Sequence, residues 1–230
     1  MKEFLTDSVF FGAVLSLAAY ETGLILKKKF KLAILNPLLI GTICVIAVLA
    51  LLHIDYEQYN EGAQYISYLL TPATVCLAVP LYEQMSLLRK NLKAVAAGIG
   101  AGVLVSLVSV LALAALFRLS HEQYVTLLPK SITTAIGMGV SEELGGIVTI
   151  TVAVIIITGI LGSVLGEFLL KLFKIKEPIA KGLALGTASH AIGTAKAMEL
   201  GPVEGAMSSL AIAVAGLLTV LGASVFAGFY

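Results

Sequence analysis

Apolar positions dominate this chain in long blocks, and polar positions gather in short bands between them. Eight apolar segments stand out, at roughly 8–26, 32–53, 63–88, 93–117, 124–140, 145–170, 179–200 and 203–229. Three runs carry no charge, Ala94 to Phe117, Gly145 to Gly166 and Gly205 to Tyr230. Each reaches the ~20 residues with which a helix spans a hydrocarbon core. The ~10-residue alternation of a membrane β-barrel is absent, so the pattern predicts an all-α polytopic membrane protein.

The basic residues orient the segments. Lys27, Lys28, Lys29 and Lys31 form one cluster, Arg89, Lys90 and Lys93 a second, and Lys171, Lys174, Lys176 and Lys181 a third. Such clusters mark cytoplasmic loops. Residues 53–64, "HIDYEQYNEGAQ", hold acids and no lysine or arginine, which suits the other face. The run at 8–26 reads as a retained helix and not as a signal peptide, because its basic flank follows it.

Counting crossings under these constraints leaves the fifth segment unable to cross. It is short, holds Pro129 and Gly137 and ends in Glu142 and Glu143. It is expected to be re-entrant or surface-parallel, with Ser131, Thr133, Thr134, Ser141 and Glu142 as candidate gate residues. The expected architecture is about seven crossings plus this element, N-terminus outside and C-terminus inside. It forms one domain over 1–230, built as an inverted-topology repeat with halves 1–118 and 119–230. Residue identities between the halves do not exceed chance; the order of features carries the expectation.

Two segments in matching places are interrupted. "LTPATVCLAVPLYEQ" holds Pro72 and Pro80, which remove backbone donors and clash with the preceding turn; "GTASHAIGTAKAMELG" holds Gly186 and Gly193. Two broken helices crossing near mid-membrane would make a binding site, since unwound backbone at that depth must line protein or a water-filled cavity. Half-helix N-termini suit a carboxylate, so the expected substrate is a small organic anion. Candidate ligands are Thr71, Thr74, Ser189, His190, Thr194 and Lys196, with Asn36 as a further cavity-lining amide.

Plainer readings stand beside these. Lys196 and Glu199 are three apart and could pair on one helix face or snorkel to the interface, Glu199 especially, ahead of Gly201 and Pro202. His190 could accept a coupling proton, and a structural histidine accounts for it equally well. Gly98 with Gly102, and Gly162 with Gly166, have a spacing that lets helices approach closely and would allow a homodimer.

Composition adds little beyond the pattern. Hydrophobic residues make up 59% and charged residues 13%, with mean hydropathy +1.01, outside the range of soluble domains. The net charge of +1 resides at helix ends and points to no nucleic acid. Cys44 and Cys76 lie in apolar segments and give no disulfide framework. No metal-ligand spacing, phosphate loop or nucleophile elbow occurs, so neither an enzyme nor a cofactor is expected beyond a coupling proton or sodium ion.

The stretches "LNPLLI", "PKSITT", "VSEELGGI", "ITGILG" and "GLALGTASHAIGTAKAMELG" together resemble the LrgB/CidB family of bacterial membrane proteins, to which the C-terminal domain of the plastidial glycolate/glycerate translocator is related. Ala135 stands where the family often has a proline after the paired threonines. The resemblance implies a bacterial inner-membrane protein with two functional readings. One is a secondary transporter for small monocarboxylates such as pyruvate, glycolate or glycerate. The alternative is a holin-like or regulatory protein that modulates murein hydrolase activity and autolysis with an LrgA/CidA-type partner.

Overall fold

The computed structural model describes Ser8, residues 10–30, Leu32 and residues 35–230, except for the side chains of Leu70, Thr71 and Thr74. All regular structure among the described residues is helical. The chain divides into two compact units, Met1–Cys76 and Leu77–Tyr230. This division follows packing, and the 1–118 and 119–230 halves remain an expectation.

The first unit holds α1 (Phe11–Phe30), α2 (Pro37–Leu52), α3 (Tyr56–Ser67) and α4 (Leu70–Cys76). Helix α1 packs against α2 and α3. Ser16 Oγ donates to the Gly12 carbonyl at 2.7 Å and shares a 2.7 Å hydrogen bond with Tyr59 Oη. Asn36 caps α2: its Oδ1 accepts from the amides of Leu38 and Leu39, and Pro37 opens the helix.

The second unit begins with α5 (Ala78–Glu83) and α6 (Met85–Lys90), two short pieces with α4 before them. The 63–88 segment is therefore broken, near its prolines, into pieces that fall in both units. Its part in the second unit, α5, packs chiefly against the final helix. Three long helices follow in order: α7 (Leu92–Phe117), α10 (Val148–Leu172) and α12 (Pro202–Ala227). These three are long and apolar enough to cross a membrane. Val95, Ile99, Val103, Leu107, Val110 and Ala114 form one buried stripe on α7, the three-and-four spacing of a helix face turned inward.

Between α7 and α10 the chain runs inward and back. Helix α8 (His121–Leu127) opens at a capping box in which Ser120 and Gln123 exchange hydrogen bonds. A turn at 128–133 leads into the returning α9 (Thr134–Glu143). The start of α8 touches the chain's last residue, His121 Nδ1 to the Tyr230 carbonyl at 3.0 Å. The tip meets α7 deeper in, Ser131 Oγ to Ser106 Oγ at 3.0 Å. The return ends beside the start, where the Ile147 amide donates to Thr126 Oγ1 at 2.8 Å. Residues 121–146 thus form a helical hairpin whose two ends meet.

The seventh segment departs from expectation. Helix α11 (Pro178–Leu200) is interrupted by non-helical backbone at Ser189 and by His190 at φ 42°. The chain reverses there. Gly193 packs on the Leu185 carbonyl, and Leu185 and Ala197 share one apolar cluster with Leu170. Lys181, near the start, lies 3.8 Å from Glu204, just past the end. In a straight helix Lys181 and Leu200 would be about 28 Å apart; here they border the same pocket. Residues 178–200 form a second hairpin, which enters from the lysine-bearing end and returns to it. The expected crossing by this segment is replaced by a reversal, because about ten residues per arm, roughly 15 Å of helix, reach only half of a ~30 Å core.

This reversal also moves the C-terminus. Helix α12 starts beside the base of the second hairpin, and Tyr230 Oη donates to the carbonyls of Ala114 and Leu119 at the far end of α7. Tyr230 therefore lies at the end opposite Lys93, not on the lysine-bearing side where the crossing count put it. The stretches 92–146 and 148–200 share one plan, a long helix and then a hairpin, traversed in opposite directions.

Candidate functional site

The arms of the second hairpin sit in grooves of small residues. Gly98 lies against the Leu183 side chain and Gly102 against Thr187. On α10, Gly162 lies against Ser189 and Gly166 against Leu185. The four glycines singled out for close helix approach are thus filled from within the chain, and their spacing carries no homodimer.

The tip is fastened by one side chain. His190 is 4% exposed, and its Nε2 lies 3.0 Å from the Ile155 carbonyl. A carbonyl only accepts, so Nε2 carries the proton in this contact. Thr194 Oγ1 donates to the His190 carbonyl and lies 2.7 Å from Ser208 Oγ on α12. These bonds stabilise a backbone that a side-chain-bearing residue adopts only at a cost of ~1–3 kcal/mol. Ile155 meets both hairpins, since its side chain also lies against Gly137 of α9.

The base of the second hairpin is charged. Lys196 Nζ lies 3.0 Å from Glu167 and 3.2 Å from Glu199, and Glu167 also pairs with Lys171 at 2.8 Å. The positive charge of Lys196 is already matched by two carboxylates.

The base of the first hairpin is held by a buried cluster of hydroxyls and amides. Thr151 of α10, Ser141 of α9 and Thr126 of α8 are buried. Thr151 Oγ1 lies 2.7 Å from Ser141 Oγ and 2.9 Å from the Thr126 carbonyl, and the Gly146 amide donates to the Ser141 carbonyl at 2.7 Å. Glu142 is exposed, Thr133 precedes α9 with no side-chain cap, and Thr134 is its first residue.

Between α7, the first hairpin's tip and the first arm of the second lies a cavity of about 670 Å³. Asn91 and Glu177 border it at the lysine-bearing end; Ser106, Lys130, Ser131 and Thr187 border it deeper in. Its remaining wall is mostly alanine, glycine and branched aliphatic side chains. Lys130 Nζ donates to Ser131 Oγ at 3.0 Å, and no ion pair to it occurs among the described residues. Thr187 is 5% exposed and its hydroxyl is buried without a hydrogen-bond partner.

The candidate residues are thereby dispersed. Ser189, His190 and Thr194 gather at the second tip, Lys196 at its base, Ser131 at the cavity and Ser141 in the hydroxyl cluster. Asn36 and the Thr71 and Thr74 positions belong to the first unit; the threonine side chains lie outside the described residues. Pro72 and Pro80 lie within α4 and α5, and Gly186 packs on Ser208 of α12. Sequence reasoning missed Lys130, Thr187, Ser106, Thr126 and Thr151. The usable signal was Lys130 itself, a cation beside Pro129 in an apolar element with no acid nearby in sequence.

These features define a membrane protein with two hairpins, entering from opposite ends, and a cavity between the tip of the first and the first arm of the second. Among protein families, the LrgB-like family model matches residues 16–229. The chain belongs to this family. It is 41% identical over 222 residues to a protein of Bacillus subtilis (strain 168), covering 96% of each chain. It is 40% identical over 225 residues to one of Bacillus mycoides (strain KBAB4), covering 97% of this chain and 98% of the relative. A Bacillus cereus (strain B4264) relative is 39% identical over the same length. All three bear the name "Antiholin-like protein LrgB". No solved structure matches the chain.

Proposed function

We propose that this chain is an antiholin-like protein of the bacterial inner membrane, N-terminus outside, which modulates murein hydrolase activity and autolysis together with an LrgA/CidA-type partner. The observation that carries this reading is the shared antiholin-like name of relatives that match nearly end to end. It reverses the order of the two readings the sequence suggested. Deleting the gene in its host and following detergent-induced lysis by turbidity tests it. Faster lysis, restored by the wild-type chain, is expected; an unchanged lysis rate would sink the reading.

One specific observation favours a second reading, a secondary transporter for small monocarboxylates such as pyruvate, glycolate or glycerate. The tip of the first hairpin and the first arm of the second border a cavity that holds a lysine with no ion pair among the described residues. Secondary transporters place their sites near mid-membrane, where interrupted helices of an inverted repeat meet. On this reading a coupling proton or sodium ion drives the cycle. Uptake of labelled pyruvate and glycolate into proteoliposomes holding only this chain tests it. Saturable uptake is expected; linear flux that also passes unrelated solutes would rule out a carrier.

A further inference from the structure

We infer that the cavity between the first hairpin's tip and the first arm of the second is a binding site for a small monovalent anion, held by the Lys130 ammonium with the hydroxyls of Ser131, Ser106 and Thr187. The inference deepens the second reading, whose cavity and lysine it takes over, by naming the side chains that would hold the anion. It stands apart from whether the bound anion is carried across or only sensed.

Charge is the first argument. An ionisable side chain at membrane depth costs several kcal/mol unless paired, and such residues mark ion or substrate paths. Among the described residues Lys130 Nζ has one polar partner, the neutral hydroxyl of Ser131. The lysines elsewhere in this unit that approach the second hairpin have carboxylates, Lys196 with Glu167 and Glu199 and Lys181 with Glu204. Lys130 is also the one cation among the cavity's lining residues, while Glu177 sits at the mouth. One uncompensated positive charge is matched by one negative charge, which favours a monoanion over a dianion.

The second argument is independent of charge. A buried hydroxyl without a partner costs about 1–3 kcal/mol, and natural proteins rarely leave one. Thr187 is the residue whose buried side-chain oxygen is orphaned among the described residues; other atoms of the residue line this cavity, and a turn about χ1 brings the hydroxyl to it. It is carried on the hairpin entering from one end, whereas Lys130 is carried on the hairpin entering from the other. An anion accepting from both would tie the two tips together. Ser106 and Ser131 already form a hydrogen-bonded pair beside Lys130 and can turn a hydroxyl toward the same ligand. The apolar remainder of the wall accommodates a short hydrocarbon tail, so a halide and a small carboxylate share the chemistry that would be recognised.

The test measures thermal unfolding of the full detergent-solubilised chain against propionate, chloride and phosphate, and compares Lys130→Met, Lys130→Arg and Thr187→Val. Saturable stabilisation by propionate or chloride is expected, with phosphate weaker at a pH where it is mainly dianionic. Saturation by propionate alone assigns a carboxylate site, and saturation by both assigns a general monoanion site. Lys130→Arg should bind within about threefold of wild type, and Lys130→Met should lose about tenfold or more, the range for a charge-assisted hydrogen bond. Thr187→Val should weaken binding while leaving unliganded unfolding unchanged or higher, because it removes an unpartnered hydroxyl. Wild-type affinity in Lys130→Met or in Thr187→Val would overturn the site, as would equal stabilisation by phosphate. Where Lys130→Met fails to fold, Thr187→Val and Lys130→Arg decide. Anion binding without flux would leave the site standing and remove the carrier, and flux without binding by these residues would do the reverse.

Discussion

The two hairpins solve the same problem in different ways. Residues 121–146 are pinned at their base by hydroxyls and amides, Thr126, Ser141, Thr151 and Gly146. Residues 178–200 are wedged by their first arm into glycine grooves, charged at the base and fastened at the tip by His190. A hydrogen-bonded base fixes where a hairpin starts but leaves its tip, here Lys130, to its surroundings. A grooved hairpin is fixed by shape along its arms, so its tip moves only if the arms slide.

Breaking the grooves should therefore cost most. Gly186→Leu drives a side chain into Ser208 and Ala211 of α12, and overpacking of this kind costs about 1–3 kcal/mol or more. A collapse in the yield of monodisperse protein on size-exclusion chromatography is expected, whereas Gly100→Leu, with open space at that position, should leave the yield unchanged.

Next comes the pinned base. Thr151→Val keeps the shape but strands the Ser141 hydroxyl and the Thr126 carbonyl, which should lower stability by about 1–3 kcal/mol in thermal or denaturant unfolding. The tip latch should follow. His190→Ala and His190→Gly both remove the bond to Ile155, but only glycine relieves a residue at φ 42°, so alanine should be less stable by roughly 1 kcal/mol. Equal stabilities would show that the backbone at the tip is not strained. Smallest is the charged base: Lys196→Met leaves Glu167 paired with Lys171, and part-exposed pairs contribute ~0–1 kcal/mol.

The contrast also explains what could be read in the sequence. The first hairpin was legible because Pro129, Gly137 and the paired glutamates interrupt a segment too short to cross, and because the lysine clusters left no crossing for it. The second was legible only as a break. Its 23 residues match the length of a span, and the reversal occurs at Ser189 and His190, neither of which marks a turn; the glycines flank the turn instead. Reading that segment as a crossing places the C-terminus at the lysine-bearing end, whereas Tyr230 lies at the far end of α7. The site was the least legible part. Lys196 is neutralised by Glu167, 29 positions earlier, and Thr187 approaches the cavity of Lys130 only because two hairpins meet, which no local spacing encodes.

The central claim is that residues 178–200 leave the membrane on the side they entered. Glu177→Cys and Pro202→Cys, each placed singly in a chain with Cys44 and Cys76 changed to serine, report it directly, since both positions are exposed. The measurement is labelling by a membrane-impermeant maleimide in intact cells and in inverted vesicles. The structure predicts that both cysteines label from the same side, the one reached in inverted vesicles. Labelling of Glu177→Cys from one side and Pro202→Cys from the other would restore a crossing there and contradict the account.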